Sequence, residues 1–253
     1  DPLFEESRQI NVEDMAPEVI DGEAGVKSRE EKISDFDAVF AEIPVENAVF
    51  GRVLLEVIEE EGVSINYPST AFFIMAKKNY LYNVMHEKNL PAPRTVAAAS
   101  EKAARSIENQ LEKPLIARRF DQMVEEEKKK LDEEGSVVDF MEGINYPEEV
   151  VLFHEFNPGD KYRCLYAGGE VISLEDRSED WKLSSDDLQY SNVSSSQEEL
   201  VCSTARSIGS PVAEVILRGE QVWDVNPNPD LETYTDVSGK NAYQEMASVL
   251  KSE

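Results

Sequence analysis

The chain has few histidines, few cysteines and no long apolar segment. Histidine occurs only as His86 and His154, which disfavours a Ser-His-Asp hydrolase, and no Cys/His spacing typical of a zinc site is present. The cysteines, Cys164 and Cys202, lie in apolar segments, which predicts buried thiols in a reducing compartment. Because no apolar run approaches about 20 residues and no signal peptide is visible, we expect a soluble, cytoplasmic protein with no membrane partner.

Positive charge is also scarce. The 253 residues include 25 Lys and Arg against 52 Asp and Glu, a net charge of -27. Nucleic acids and anionic membrane surfaces would be repelled, so we expect neither as a partner. The acids are spread along the whole chain, which predicts a strongly hydrated, salt-adapted (halophilic) surface. A hydrophobic content of 41% is enough for globular cores and argues against disorder.

The first third of the chain predicts a β-α-β unit. Residues 1–32 are acidic and show little periodicity. Residues 35–44 then predict a strand, residues 50–62 an amphipathic helix that stops at Gly62, and residues 63–68 a second strand. This order implies a parallel sheet. The chain starts at Asp1 without a methionine, so we expect some natural N-terminal sequence to be absent.

Further elements follow from apolar periodicity and turn residues. A hairpin is expected over residues 161–173, turning at Gly168-Gly169. Helices are predicted over residues 70–88, 100–111, 197–208 and 241–251.

The most informative pattern is a second hairpin near the C-terminus, which turns at Arg218-Gly219-Glu220. Side chains alternate across a strand, so Asp224 and Asn226 share a face. Glu214 interrupts the apolar arm opposite, and pairing of the arms would bring it close to them. Carboxylate and amide oxygens are ligands for Mg²⁺ or Mn²⁺, so we expect a metal site. Two alternatives stay open, a simple polar strand exit and a surface-facing Glu214.

From about Asn66 onward, these motifs resemble the ATP-grasp superfamily, which includes glutathione synthetase, D-alanine–D-alanine ligase and the RimK-type glutamate ligases. In that family the last hairpin reads roughly V-D-hydrophobic, a turn, then E-V-N-P-x-P-x-L. Here Glu214 stands where the family usually has Asp, Asp224 stands where it usually has Glu, and Asn226 matches directly. The resemblance implies an α+β ATP-grasp fold in which two α/β lobes sandwich ATP. We expect a small, truncated or degenerate pre-ATP-grasp α/β domain over residues 1–70. The ATP-grasp domain would cover 71–253, with a lid lobe at 71–153 and a metal-binding lobe at 154–253.

The resemblance also implies nucleotide-binding residues. Lys78 precedes a helix and a "GLPVPxT"-like exit, and Arg118 stands where the family has a lysine. The alternative is that Lys78 is a solvated lysine on the surface of a helix. The "VVLQEFI"-like strand over residues 150–156 implies that Glu155 contacts the adenine edge and that the Phe156 and Asn157 backbone reads it. Asp160 would then bind ribose, whereas His154 points to the opposite face from Glu155 and is interpreted as structural.

Basic residues beyond the adenine strand are implied to act on the transferred group. Arg163 matches an arginine in the family's "DIRVxVxGGxVV" hairpin and would neutralise a carboxylate or acyl phosphate. Arg177 and Lys182 lie where the family gathers basic side chains near the γ-phosphate. Surface salt bridges are the alternative for these residues.

The main departure from the family is the segment expected to cover the phosphates. Glycine-rich loops hold phosphate through backbone N–H groups, but residues 125–135 form a Glu-to-Lys block that ends in one glycine. Charge pairs three and four residues apart predict a solvated, mobile helix without direct phosphate contact. Phosphate binding would then depend chiefly on Lys78 and Arg118.

The function implied is that of an Mg²⁺-dependent, RimK-like ligase. It would use ATP to join a carboxylate to an amine or thiol through an acyl phosphate. Its partners would be ATP and a small carboxylate, amino acid or peptide, and homo-oligomer formation is left open. The alternative is a weak or inactive ATP-grasp relative that serves as a nucleotide-binding or scaffold protein.

The charge imbalance makes a prediction about stability. Raising KCl from low to molar concentration should raise the melting temperature, because salt screens the self-repulsion of a chain with net charge -27. Scanning calorimetry in KCl and in NaCl would separate screening from binding of a specific cation. A melting temperature that stays flat or falls in both salts would contradict the prediction.

Overall fold

The computed structural model describes Phe4, residues 6–28 and residues 31–252. Its first sheet is antiparallel and lies in a region where the sequence showed little periodicity. The strands are β1 (Met15–Ile20), β2 (Glu23–Ser28) and β3 (Glu31–Lys32). Asp21 and Gly22 both have positive φ and close the β1–β2 hairpin, because Asp-Gly suits the tight turn that matches strand twist.

The predicted β-α-β unit is confirmed, although its strands are short. The elements are β4 (Ala38–Val39), α1 (Ala48–Glu60) and β5 (Ser64–Ile65), and the two strands pair in parallel. Asn66 extends this pairing, because its side chain exchanges hydrogen bonds with both backbone groups of Ala41, at 2.7 and 3.0 Å. Short 3-10 helices occur at Val12–Asp14, Ile33–Asp35, Val45–Asn47 and Ile107–Asn109.

The single helix predicted over residues 70–88 is two helices. They are α2 (Ser69–Ala76) and α3 (Lys78–Glu87). Lys77 separates them with a ψ of 87°, which is outside the helical region. The break makes Lys78 the first residue of α3.

An antiparallel four-stranded sheet follows, with helices interspersed. Its elements are β6 (Thr95–Ala98), α4 (Glu101–Ala104), β7 (Leu115–Asp121), β8 (Val124–Leu131), α5 (Ser136–Phe140) and β9 (Glu149–Glu155), with strand order β6-β9-β7-β8. Two predictions were wrong here. The helix over residues 100–111 shrinks to α4 and a 3-10 turn, and the charged helix over 125–135 is largely strand β8. Pairing with β7 along its length outweighs the helical preference of the Glu-Lys block.

The last sheet has five antiparallel strands in the order β12-β11-β10-β13-β14. Its elements are β10 (Lys161–Ala167), β11 (Glu170–Asp176), β12 (Leu188–Tyr190), α6 (Ser195–Ile208), β13 (Val212–Arg218), β14 (Gln221–Asn226), α7 (Leu231–Ser238) and α8 (Ala242–Ser252). Both predicted hairpins and both predicted C-terminal helices are confirmed.

One apolar core joins the early helices to the last sheet. It includes Phe72 and Met75 of α2, Leu81 of α3, Val201 of α6 and Val215 of β13. The mixed content of helix and sheet confirms the predicted α+β class. Of the two thiols expected to be buried, Cys164 is buried and Cys202 is partly buried. In the part of the chain that the structure describes, no helix is both long enough and apolar enough to span a membrane.

Residues 156–160 link the two larger sheets, and this link packs against the turn of the β13–β14 hairpin. A Cβ added at Gly159 would lie 2.8 Å from Gly219 N and 2.9 Å from Gly219 Cα. Gly219 N also donates a hydrogen bond to Asp160 O at 2.9 Å. Backbone therefore meets backbone here, with no room for a side chain.

Replacing Gly159 with alanine should lower the free energy of unfolding by about 1–3 kcal/mol, because rigid backbone must shift to admit the methyl group. Urea denaturation would measure the change. Gly25→Ala is the matched control, since its added Cβ would meet the Glu61 side chain, which can move aside, at 3.0 Å. Equal losses in the two variants would contradict the steric argument.

Candidate functional site

The hairpin of β13 and β14 carries three of the predicted site residues on one face. Glu214 pairs with Asn226 and Ile216 pairs with Asp224 in the strand register. Asn226 Nδ2 donates a hydrogen bond to Glu214 Oε2 at 3.1 Å. The register shifts after Ile216, so Trp223 is an extra residue on β14. The three polar side chains therefore share one face of the hairpin, and Glu214 and Asn226 are in direct contact.

Asp224 is the meeting point of both predicted phosphate-binding cations. Its Oδ1 lies 2.8 Å from Lys78 Nζ, and its Oδ2 lies 3.0 Å from Arg118 Nη2. Lys78 Nζ also donates to the carbonyl of Val225 at 2.7 Å. Lys78 begins α3 and Arg118 lies on β7, so one carboxylate ties the four-stranded sheet, the five-stranded sheet and a helix together.

Burial and charge act in opposite directions on this cluster. Burial by itself would raise the pKa of Asp224, but Lys78 and Arg118 outweigh it and hold the pKa well below its usual range. Burial would lower the pKa of Arg118, but Asp224 and the other neighbouring groups hold it above the usual range. Arg118 is 4% exposed and also pairs with Glu125 of β8. Asp224 and Arg118 therefore carry opposite charges at neutral pH.

Glu214 forms a second buried ion pair beside the first. Its Oε1 accepts hydrogen bonds from Arg163 Nε at 2.8 Å and from the Tyr234 hydroxyl at 3.0 Å. Burial would lower the pKa of Arg163, but Glu214 raises it above its usual range. The predicted surface-facing alternative for Glu214 is excluded, because the residue is 1% exposed. Tyr234 was not anticipated, because its position in α7 carries no motif.

His154 is buried behind the cluster, as its structural interpretation requires. Its Nδ1 lies 2.8 Å from Thr95 Oγ1, and its ring packs 4.5 Å from that of Tyr82. Its Nε2 has no hydrogen-bond partner among the described residues. Burial, with the positive charge of Arg118, holds the pKa of His154 well below its usual range, so the ring is neutral at physiological pH.

The residues expected to read adenine are placed as follows. The Glu155 carboxylate binds Arg94 Nη1 at 2.9 Å and the backbone N–H of Glu112 at 2.8 Å. The N–H of Phe156 donates to Pro114 O at 2.9 Å. The Glu155 carboxylate and the Phe156 N–H are therefore both occupied by hydrogen bonds within the protein.

The Asn157 side chain braces the link instead. Its Nδ2 donates to Arg218 O at 3.1 Å and to Gln221 Oε1 at 3.0 Å, and its Oδ1 accepts from Gly159 N at 2.8 Å. Asp160 follows at the surface, where its side chain is exposed.

An aromatic cluster that the sequence did not reveal lies between the sheets. Ile116 of β7 packs with Ile216 and Trp223 of the hairpin, and Phe156, Trp181 and Leu183 close around them. The Arg218 guanidinium lies 5.2 Å from the centroid of Phe156 and 5.0 Å from that of Trp223. The junction of the two large sheets, here termed the cleft, therefore has an apolar, aromatic end next to its charged end. The combination suits a ligand with one flat and one anionic part.

The remaining predicted basic residues lie toward the surface. Arg177 is exposed just after β11 and binds Glu175 of that strand, at 2.9 Å. Lys182 is exposed and lies 5.5 Å from the ring centroid of Trp181. A buried base of this region is Lys161, which the sequence analysis overlooked although it precedes Arg163 by two residues on β10. Its Nζ binds Asp176 at 3.1 Å and three backbone carbonyls of the loop that follows β11.

The fit of a metal ion depends on donor chemistry. No group of three or more His, Cys, Asp and Glu side chains poised to hold a metal occurs among the residues that the structure describes. The predicted set instead combines two carboxylates with the amide of Asn226. The carboxylates suit a hard cation such as Mg²⁺, which would have to compete with Lys78, Arg118 and Arg163 for them. Asn226 turns its Nδ2 toward Glu214, and its Oδ1 accepts from Asn228 N at 3.1 Å, so its amide would have to reorient to act as a ligand.

The fold can be compared with that of known proteins. No protein-family model matches the chain, and no curated protein matches it in sequence. Solved structures of ATP-grasp proteins resemble it along most of its length. ATP-grasp ligase PsnB, complexed with a minimal precursor, Mg and ADP, has a TM-score of 0.70 at 13% identity, covering 94% of this chain and 84% of that one.

A RimK domain protein and a D-alanine–D-alanine ligase are also similar. The RimK domain ATP-grasp protein from Sphaerobacter thermophilus has a TM-score of 0.65 at 17% identity and covers 86% and 82%. The D-alanine–D-alanine ligase from Bacillus anthracis, complexed with ATP, has a TM-score of 0.67 at 13% identity and covers 86% and 80%. The chain therefore has the ATP-grasp fold, as its motifs predicted.

Asp224→Asn should lower the free energy of unfolding at pH 7 by about 3 kcal/mol, because two buried cations lose their counter-charge. The folded-state pKa of Asp224 lies below the unfolded value of about 3.9, so the stabilisation is complete above that value and is lost as the pH falls. The advantage of the natural chain should therefore shrink between about pH 5 and about pH 2.

Urea denaturation across this pH range measures the difference. Asp186→Asn, which changes an exposed carboxylate, is the control and should have little effect at any pH. A pH-independent loss in Asp224→Asn would show that its ionisation is not linked to folding.

Proposed function

We propose that this chain is an ATP-dependent carboxylate–amine or carboxylate–thiol ligase. The observation that carries the proposal is the convergence of Lys78 and Arg118 on Asp224 in the cleft of an ATP-grasp fold. It is supported by the similar structures, which include an ATP complex of D-alanine–D-alanine ligase and an ADP and Mg complex of PsnB. A RimK-like substrate range is part of the proposal.

The charged end of the cleft would bind the triphosphate. Lys78 and Arg118 would turn from Asp224 to phosphate oxygens, where their charge offsets that of the nucleotide. Glu214, Asp224 and Asn226 would hold Mg²⁺ or Mn²⁺, which when bound supplies charge neutralisation and in-line orientation. The aromatic end would hold the adenine, next to the link formed by residues 156–160.

The substrate carboxylate would lie nearer Arg163. Its oxygen attacks the γ-phosphorus, the bond to ADP breaks, and an acyl phosphate forms. The amine or thiol then attacks the acyl carbon, phosphate leaves, and a proton passes to solvent. Arg163 would stabilise the charge on the transferred group. Arg177 and Lys182 would need to move from their surface positions to assist.

A peptide is the substrate class that the comparisons favour. PsnB was solved with a precursor peptide, and the macrocyclase MdnC from Microcystis aeruginosa was solved with its precursor MdnA. The TM-score to MdnC is 0.65 at 11% identity. These partners belong to those proteins, and for this chain a peptide substrate is a proposal.

The second candidate function is a nucleotide-binding or scaffold protein without ligase activity. It is favoured by the pairing of Arg118 with Glu125, which occupies a phosphate-binding residue, and by the lack of a glycine-rich loop between β7 and β8. ADP release measured with Mg²⁺, high KCl and a panel of amino acids and acidic peptides distinguishes the two. Substrate-dependent ADP formation supports the ligase, and nucleotide binding without turnover supports the scaffold.

Asn226→Ala and Glu214→Gln should each weaken Mg²⁺-dependent ATP binding by about tenfold or more, because each removes a metal ligand. Calorimetric titration of ATP with Mg²⁺ and with EDTA measures the effect. Asn192→Ala, at an exposed asparagine, is the matched control. ATP affinity that is unchanged in both variants, in folded protein, would contradict the metal assignment.

A further inference from the structure

Strand β8 gives the charged block two different faces. Successive side chains of a strand point to opposite sides, so Lys128 and Lys130 share one face and Lys129 lies on the other. In the register with β7, Lys128 is opposite Arg118 and Lys130 is opposite Ile116. Lys128 and Lys130 are half-buried, whereas Lys129 is exposed.

The shared face is the one that lines the cleft. Ile116 contacts the aromatic cluster of the hairpin, and Arg118 binds Asp224. Lys130 Nζ lies 4.8 Å from the centroid of Phe156, at the aromatic end. Lys128 therefore extends into the charged end, beside Arg118.

Positive charge exceeds negative charge at this end of the cleft. Three cations (Lys78, Arg118 and Lys128) meet two acids, Asp224 and Glu125. Burial, and then the charge of Arg118, lower the pKa of Lys128, and the two acids offset this in part. Arg118 Nη1 is buried without a hydrogen-bond partner among the described residues. Such a donor, next to a like charge, has hydrogen-bonding capacity that an anion would satisfy.

We propose that Lys128 binds phosphate oxygens of the nucleotide, in place of the backbone N–H groups that a glycine-rich loop would supply. The inference rests on the proposed ATP site and names a residue that the motifs of the sequence do not. It also replaces the expectation that residues 125–135 make no phosphate contact. Lys130 lies at the aromatic end of the cleft, and Lys129, on the outward face, does not contact the nucleotide.

The test compares Lys128→Ala with Lys129→Ala, which removes the same charge from the adjacent, outward face. Calorimetric titrations at constant salt would use ATP, tripolyphosphate and adenosine as ligands. Lys128→Ala should weaken ATP and tripolyphosphate about tenfold and leave adenosine unchanged. Lys129→Ala should change all three by less than about twofold, since an exposed charge acts weakly through solvent. Lys128→Arg should restore most of the loss.

Stability provides a second readout. A like charge beside Arg118 opposes folding, so Lys128→Ala should melt at the same or a higher temperature than the natural chain. Weak binding with a lowered melting temperature would indicate a structural role and would overturn the proposal. Equal losses of affinity in the Lys128 and Lys129 variants would show that Lys128 acts only through its long-range charge, and would refute the proposed contact with phosphate.

The ligands also separate this inference from the proposed function. If the natural chain binds tripolyphosphate through Lys128 but binds no ATP, the phosphate site stands and the ligase proposal fails. If ATP binds and Lys128→Ala binds it equally well, the nucleotide site stands and the role of Lys128 is refuted. If neither ligand binds, both proposals fail.

Discussion

The site depends on the ion pairs of one buried carboxylate. Asp224 contacts Lys78 at the start of α3 and Arg118 in the middle of β7, and its own strand belongs to the other large sheet. Burying any of these charges by itself would be costly, so each group requires the others. The relative placement of the two sheets and of α3 is therefore coupled to the chemistry of the cleft.

The second ion pair and the aromatic cluster extend this arrangement in two directions. Glu214, held by Arg163 and the Tyr234 hydroxyl, continues the polar face along β13. Toward the other end, Arg218 lies over Phe156 and Trp223, and the backbone of the link meets the hairpin turn at Gly159 and Gly219. Charged and aromatic side chains are thus fixed to the same hairpin.

The charges of the cleft also contrast with those of the whole chain. A protein of net charge -27 would repel a triphosphate, yet the described contacts gather Lys78, Arg118 and Lys128 around two acids. The cations are half-buried or buried, so solvent screens them less than it screens the surface acids. A local excess of positive charge can therefore coexist with a strongly acidic chain.

The sequence by itself determined the features that local rules govern. Glycines at the turns, strand alternation and apolar periodicity predicted both C-terminal hairpins, the β-α-β unit and the shared face of Asp224 and Asn226, and motif resemblance predicted the ATP-grasp fold. The tertiary structure decided what depends on partners distant in the chain. A Glu-Lys block that favours helix became strand β8 because β7 offers it a ladder of hydrogen bonds. Glu155 was engaged by Arg94 and Glu112, and Lys128 reached Arg118 only because two strands paired in one register, which no local pattern encodes.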